Sequence, residues 1–182
     1  MKRKTASQQV SLLPPEAATL LHLVRENLRL LAELSARYEV AHVTPPGEQP
    51  MLRKPADVAA YLGPEMTDLA QEQLRVVLLD IKNHVLGTRL VYQGGLNAVV
   101  IRLADCFREA VACGAAAVIL VHNHPSGDPT PSAEDVRLTR EAGQAGDLLG
   151  IEVLDHIVLG RPGFVSLREN GLYSPTRGVT VH

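Results

Sequence analysis

The stretch Val121-His122-Asn123-His124-Pro125-Ser126-Gly127-Asp128-Pro129-Thr130-Pro131-Ser132-Ala133-Glu134-Asp135 decides the reading of this chain. It holds His-x-His, seven intervening residues, then Ser-x-x-Asp. The run Gly114 to Val121 before it is apolar and ends in Ala117-Val118-Ile119-Leu120-Val121, the pattern of a short buried strand. Strand side chains alternate between faces, so His122 and His124 share one and Asn123 takes the other. Three prolines and a glycine then mark a loop. From Ser132 a helical pattern runs to about Leu149, and a helix turn brings positions i and i+3 to the same side. A strand end, a loop and a helix start can thus close His122, His124 and Asp135 around one metal ion. Two imidazoles and a carboxylate leave a tetrahedral ion one open position for water, which is the arrangement of a catalytic site and not of a structural one.

Each piece has an ordinary reading as well. Ser132 followed by an acid in the first turn is a common helix start, and Pro-Ser-Gly-Asp-Pro is a common turn. Neither explains two histidines on one face of a strand end, in register with an acid on the next helix. Asp128 reads as a turn residue, and His22 and His84 as surface groups. Asp155-His156 reads either as a pair that orients a ligand histidine or as a paired histidine within a strand. Cys106 and Cys113 are too few and wrongly spaced for a thiolate zinc site, so both read as core thiols.

Working outward, a helix is expected near Pro55 to Leu62, a strand over Leu74 to Leu79, a turn over Asp80 to Asn83 and a strand over Val85 to Val91. The helix Leu103 to Cys113 shows apolar spacing and is followed by Gly114, a residue suited to a left-handed cap. A strand over Ile151 to Leu159 follows the metal helix. Helices alternating with apolar strands predict an α/β fold, a mixed sheet flanked by helices on both faces. Before it, Pro15 to about Tyr38 reads as a helix with Leu21, Val24, Leu28 and Leu31 on one stripe. The stripe suits packing on the same chain or a homodimer contact. Thr44-Pro45-Pro46-Gly47-Glu48-Gln49-Pro50 is a linker by composition. The expected organisation is therefore residues 1–50 as helix and Pro-rich linker, and 51–182 as the catalytic domain.

Composition narrows the function classes. A chain of 182 residues with 46% hydrophobic residues can bury a core unaided. A net charge of −2, 3% aromatics and no tryptophan give no support to a nucleic-acid surface. No apolar run is long enough for a bilayer and the start lacks a signal-peptide core, so a cytoplasmic location is expected. Two cysteines do not make a secreted disulfide scaffold.

The segment His122-Asn123-His124-Pro125-Ser126-Gly127-Asp128, with Pro131-Ser132 and Asp135, resembles the RadC-like branch of the JAB/MPN-plus (JAMM) metalloprotease-like domains, whose architecture is related to that of cytidine deaminases. Leu78-Leu79-Asp80-x-Lys82-Asn83, Leu96-Asn97-Ala98, Leu154-Asp155-His156-Ile157-Val158-Leu159-Gly160, Ser166-Leu167 and Gly171 resemble further family segments in the same order. The resemblance covers about residues 53 to 174. It implies that Glu72, just before the first strand, acts as the base on metal-bound water and that Ser132 stabilises the oxyanion. It also implies one zinc per chain, held by His122, His124 and Asp135 with water as fourth ligand. The expected activity is zinc-dependent hydrolysis of a peptide or isopeptide bond, with a peptide or ubiquitin-like protein as partner. Two departures are visible. The Gly-x-Gly hairpin of the N-terminal DNA-contacting region often found in such proteins is absent before residue 53, and Arg102-Leu103-Ala104 stands where His-Pro-Arg is common. The competing readings are a DNA-repair or recombination accessory and a non-enzymatic module that uses the metal for stability. A deaminase is disfavoured by the absence of His-x-Glu with Pro-Cys-x-x-Cys.

Overall fold

A computed structural model describes Glu26, residues 49–94 and residues 101–175. The helix expected over Pro15 to Tyr38 lies, apart from Glu26, outside the described residues, as do most of the linker and Leu96-Asn97-Ala98. The described elements run α1 (Pro55–Met66), β1 (Glu72–Leu79), β2 (Val85–Gly94), α2 (Leu103–Cys113), β3 (Ala117–Asn123), α3 (Ala133–Leu149), β4 (Glu152–Gly160) and β5 (Gly163–Ser166).

The five strands form one mixed sheet in the order β2-β1-β3-β4-β5. Only β3 and β4, joined through α3, are parallel; the other pairs are antiparallel. A parallel pair needs a long crossover, and α3 supplies it. β3 is central and buried along its whole length, which explains its nearly unbroken apolar run.

Alternation on the strands builds two cores. Leu74, Val76, Leu78, Val118 and Leu120 meet Cys106, Phe107 and Ala110 of α2 and Ala142 of α3 on one face. Val77, Leu79, Ile119, Val121, Ile157 and Leu159 meet Val58, Leu62 and Met66 of α1 on the other. Burying a side chain of this size contributes roughly 1.5–3 kcal/mol, so each face has its own apolar drive to hold a helix. The expected α/β fold with helices on both faces is what the structure shows.

Several boundaries differ from the sequence reading. α1 continues through Gly63-Pro64 to Met66, because Met66 is fully buried and anchors the last turn. β1 starts two residues earlier than expected, at Glu72. β5 was not foreseen; it is four residues long and follows the two-residue turn Arg161-Pro162. Gly114 and Gly150 close α2 and α3 in the left-handed conformation, with φ of 68° and 69°. Of the two cysteines, Cys106 is buried, which pushes its thiol up to about 11, whereas Cys113 is exposed.

The chain turns back so tightly after α3 that Gly146 has no room for a side chain: a Cβ there would stand 2.4 Å from the backbone oxygen of Ile151, just before β4. Helix propensity alone favours alanine over glycine by about 1 kcal/mol, but forcing backbone apart in a packed interior costs about 1–3 kcal/mol. Gly146→Ala is therefore expected to destabilise the fold by up to about 2 kcal/mol in urea denaturation; a stabilised variant would show that the segment after α3 does not press on Gly146.

Candidate metal centre

The site forms where β3 leaves the sheet. Leu74 of β1 pairs with His122, and His122 pairs with Val158 of β4, so His122 is held between two strands and is almost fully buried. Its side chain points to the α2/α3 face, as the alternation Val118, Leu120, His122 requires. His124 lies one pleat further, its backbone N–H donating to Leu159 O at 2.9 Å. Its ring Nδ1–H donates to Asp128 O at 2.7 Å, so Nε2 is left free to face the site. Asp128 thus serves as more than a turn residue, through its backbone carbonyl.

Asp135 arrives from the first turn of α3. Ser132 is the N-cap, accepting from Asp135 N at 3.1 Å. Ser132 N and Ser132 Oγ both donate to Asp135 Oδ2 at 2.7 Å. This reciprocal capping box uses one carboxylate oxygen and turns the other, Oδ1, toward His122 Nε2 at 3.4 Å. Burial pushes the Asp135 carboxyl up, but the two imidazoles and Ser132 outweigh it and hold it well below the usual carboxylate range.

His122, His124 and Asp135 form a group that could hold a metal ion, each offering one ligand atom. The fit can be judged from spacing. Ligands about 2.0–2.1 Å from a tetrahedral zinc stand about 3.3 Å from one another. Here His122 Nε2 and His124 Nε2 are 2.9 Å apart, Asp135 Oδ1 is 3.4 Å from the first and Asp135 Oδ2 3.7 Å from the second, and one atom from each residue lies within 4.8 Å of the others. Two imidazole nitrogens facing each other this closely need a proton or a cation between them. The residues present therefore suit the ion.

Glu72 enters by register. Leu74 is level with His122, so two residues further along the antiparallel pair brings Glu72 level with His124 on the same face. Glu72, His124, Ser132 and Asp135 line a cavity of about 520 Å³ together with Gln71, Gly94, Pro125 and Ser126. His124 is raised above the ordinary imidazole value, first by Asp135 and in smaller part by the charge of Glu72.

Two contributors, Asn123 and Thr139, had no role assigned from sequence, and a third, His156, had two readings. Asn123 does point away from the ligands, and it is fully buried. Its side chain accepts from Gln73 N at 2.8 Å and donates to Gln71 O at 3.2 Å, gripping the backbone on either side of Glu72. His156 resolves the ambiguity of Asp155-His156. Its Nε2 is 2.8 Å from His122 Nδ1, and its Nδ1 is 2.6 Å from Thr139 Oγ1. Complete burial disfavours the charged ring of His156 and pushes it well below the usual imidazole value. Asp155 instead accepts from His156 N, Arg168 N and Ser166 Oγ. Thr139, on α3, donates to Asp135 O at 2.6 Å.

A register shift puts His156 in place. Val118 pairs with Val153 but Ile119 pairs with Asp155, so Leu154 is an extra residue in β4. Three residues apart, Val153 and His156 would point to opposite faces of a regular strand; the bulge puts both on the α2/α3 face. Beyond it, Gly160 underlies the loop, where a Cβ would stand 2.3 Å from Gly127 O.

This fold and side-chain set define a mixed-sheet domain with a His-His-Asp group at a strand end that could hold a cation. The chain belongs to the family of RadC-like JAB domains, whose model matches residues 52–172. It is 48% identical over 144 residues to a UPF0758 protein of Roseiflexus castenholzii, covering 78% of this chain and 62% of that one. It is 54% identical over 121 residues to a UPF0758 protein of Chloroflexus aurantiacus, covering 66% and 53%, and 44% identical over 144 residues to one of Desulfitobacterium hafniense, covering 78% and 63%. The chain thus spans less than two thirds of the length of these relatives. Among the described residues no helix is long and apolar enough to cross a membrane.

Because His124 is raised in the metal-free site, protons compete with a metal from a higher pH than at an ordinary imidazole. Zinc binding should release protons near neutral pH, and affinity should fall as pH drops through the imidazole range. Calorimetry in buffers of different ionisation enthalpy reads this directly; binding without proton release would contradict the geometry.

Proposed function

We propose that the domain is a zinc-dependent hydrolase that cleaves a peptide or isopeptide bond. The observation that carries this is the shared cavity: Glu72, Ser132 and two of the three ligand residues, His124 and Asp135, face one space of about 520 Å³. A scaffold that used the metal for stability alone would need the ligands but not an acid from a distant strand beside them. Two imidazoles and a carboxylate with an open fourth position suit zinc, although the same ligands also take iron, manganese or cobalt. When bound, such an ion acts as a Lewis acid and lowers the pKa of a water to about 7.

The chain's own residues do the rest. Glu72 takes the proton of the attacking water and delivers it to the leaving amine. Asn123 keeps the backbone around Glu72 fixed, so the carboxylate does not have to be found anew in each turnover. Ser132 keeps Asp135 Oδ2 through its backbone N–H at 2.7 Å while its hydroxyl hydrogen, now on Asp135, turns into the cavity to meet the oxyanion. The cavity opens beside Gly94, at the end of β2, an edge strand of the sheet. An extended peptide added along that edge would present its backbone to the site, and short side-chain pockets would set specificity.

Incubation of the zinc-loaded protein with a panel of peptides and ubiquitin-like fusions tests the reading. Glu72→Gln should bind zinc as the parent does and lose about 10²–10⁴-fold in turnover. Cleavage at the parent rate would remove Glu72 from the mechanism.

Asn123→Ala leaves every ligand and Glu72 in the sequence. It is expected to keep its zinc content but to lower turnover by up to about 10²-fold, the cost of a misplaced catalytic group. An unchanged rate, measured on the same substrate, would show that the grip on Gln71 and Gln73 has no catalytic consequence.

A further inference from the structure

We infer that Thr139 and His156 form a hydrogen-bonded chain that fixes the tautomer of His122 and thereby sets the affinity of the metal centre. The inference rests on the metal-site part of the proposed function and is independent of the hydrolysis.

The direction of each bond follows from which atoms carry hydrogen. Thr139 Oγ1 lies 2.6 Å from Asp135 O. A backbone carbonyl only accepts, so the single hydroxyl hydrogen of Thr139 goes there. Thr139 Oγ1 must then accept from His156 Nδ1 at 2.6 Å. A neutral imidazole has one N–H, so the other nitrogen of His156, Nε2, is an acceptor. It receives the hydrogen of His122 Nδ1 at 2.8 Å. His122 Nε2 is left with a lone pair, and that is the atom facing His124 and Asp135 Oδ1.

The chain leaves no freedom to reverse. His122, His156 and Thr139 are all buried, so a donor that loses its acceptor finds no water in exchange. The path also closes on itself. It starts at the backbone of Asp135, passes through α3, β4 and β3, and returns to the Asp135 carboxylate across the ligand space. Orienting groups behind metal-bound histidines are most often carboxylates, carbonyls or water. Here the acceptor is a neutral ring, whose own proton must be placed by one more residue. That makes Thr139 a positioning residue two hydrogen bonds from the nearest ligand nitrogen.

Removing the hydroxyl has a defined effect. In Thr139→Val, which keeps the shape, His156 Nδ1–H loses its hydroxyl acceptor at 2.6 Å. The ring relieves this by carrying its proton on Nε2, which then donates to His122 Nδ1. The proton of His122 moves to Nε2, where the ion would bind. Zinc affinity, measured by competition with a chelating dye, should fall about 10–100-fold, and the visible spectrum of the cobalt-substituted protein should change. Thr139→Ser restores the hydroxyl and should bring both back to near the parent values. Parent affinity and spectrum in Thr139→Val would overturn the inference.

A measurement on the parent protein keeps the test open if a variant fails to fold. In the metal-free state, ring ¹⁵N–¹H correlations should show the proton of His122 and of His156 on Nδ1. A proton on Nε2 with none on Nδ1, in either ring, would refute the chain. Ring protons in the predicted places with no cleavage of any substrate would instead sink the hydrolase reading and leave the chain standing. A protein that binds no zinc would sink the metal site, while the ring spectrum still decides the tautomers.

Discussion

A buried imidazole must have both of its nitrogens answered, and the arrangement around His122 follows from that requirement. Its position is dictated by β3, which is paired on both sides and has no slack. One nitrogen turns inward and is met by His156; the other turns outward and converges with His124 and Asp135. An unsatisfied polar group in such a place costs about 1–3 kcal/mol, comparable to the gain from burying a large apolar side chain. The polar residues behind the ligands are thus as much a condition of the fold as of its chemistry.

The two-faced sheet explains how the residues of the site come together. The α1 face carries its own apolar cluster, and the His-His-Asp group gathers on the α2/α3 side, where the crossover helix begins beside the end of β3. Asp135 sits in the first turn of that helix, where the helix dipole favours an acid and where the cap takes one of its oxygens. Asn123 shows the other face at work. Its side chain leaves the ligand side and stitches the end of β1 to β3 beyond their main-chain pairing, which ends at Leu74 and His122. Ligand geometry and acid placement are therefore fixed by successive residues of one strand end.

Much of this was legible beforehand, and the reason is periodicity. His122 and His124 could be assigned to one face because a strand repeats every two residues, and Asp135 could be joined to Ser132 because a helix turn spans three. The mixed sheet and its helices followed from the same patterns. What stayed hidden depends on contacts between distant segments. Glu72 looks like any surface acid until the β1–β3 register sets it level with His124. The parity of His156 cannot be counted correctly without knowing that Leu154 is an extra residue in the strand. Thr139 looks like an ordinary helix residue, and its bond to Asp135 O is invisible to any spacing rule about ligands. The helix α1 overran the expected end because buried Met66 outweighed the breaking tendency of Gly63-Pro64, a tertiary effect.

The glycine under the ligand loop carries a meaning for descent. Gly160 ends β4 with its Cα pressed to the carbonyl of Gly127, while Arg161 N donates to that same oxygen at 3.0 Å. The two positions are 33 residues apart in the chain, and each favours glycine for its own reason, the first by this contact and the second by its φ of 90°. A lineage that acquired a side chain at the first would have to reroute the loop containing the second, and with it the carbonyl of Asp128 on which the ring of His124 leans. The pair of glycines is accordingly a compact signature by which an intact loop could be told from a decayed one in related chains, without reference to the ligands themselves.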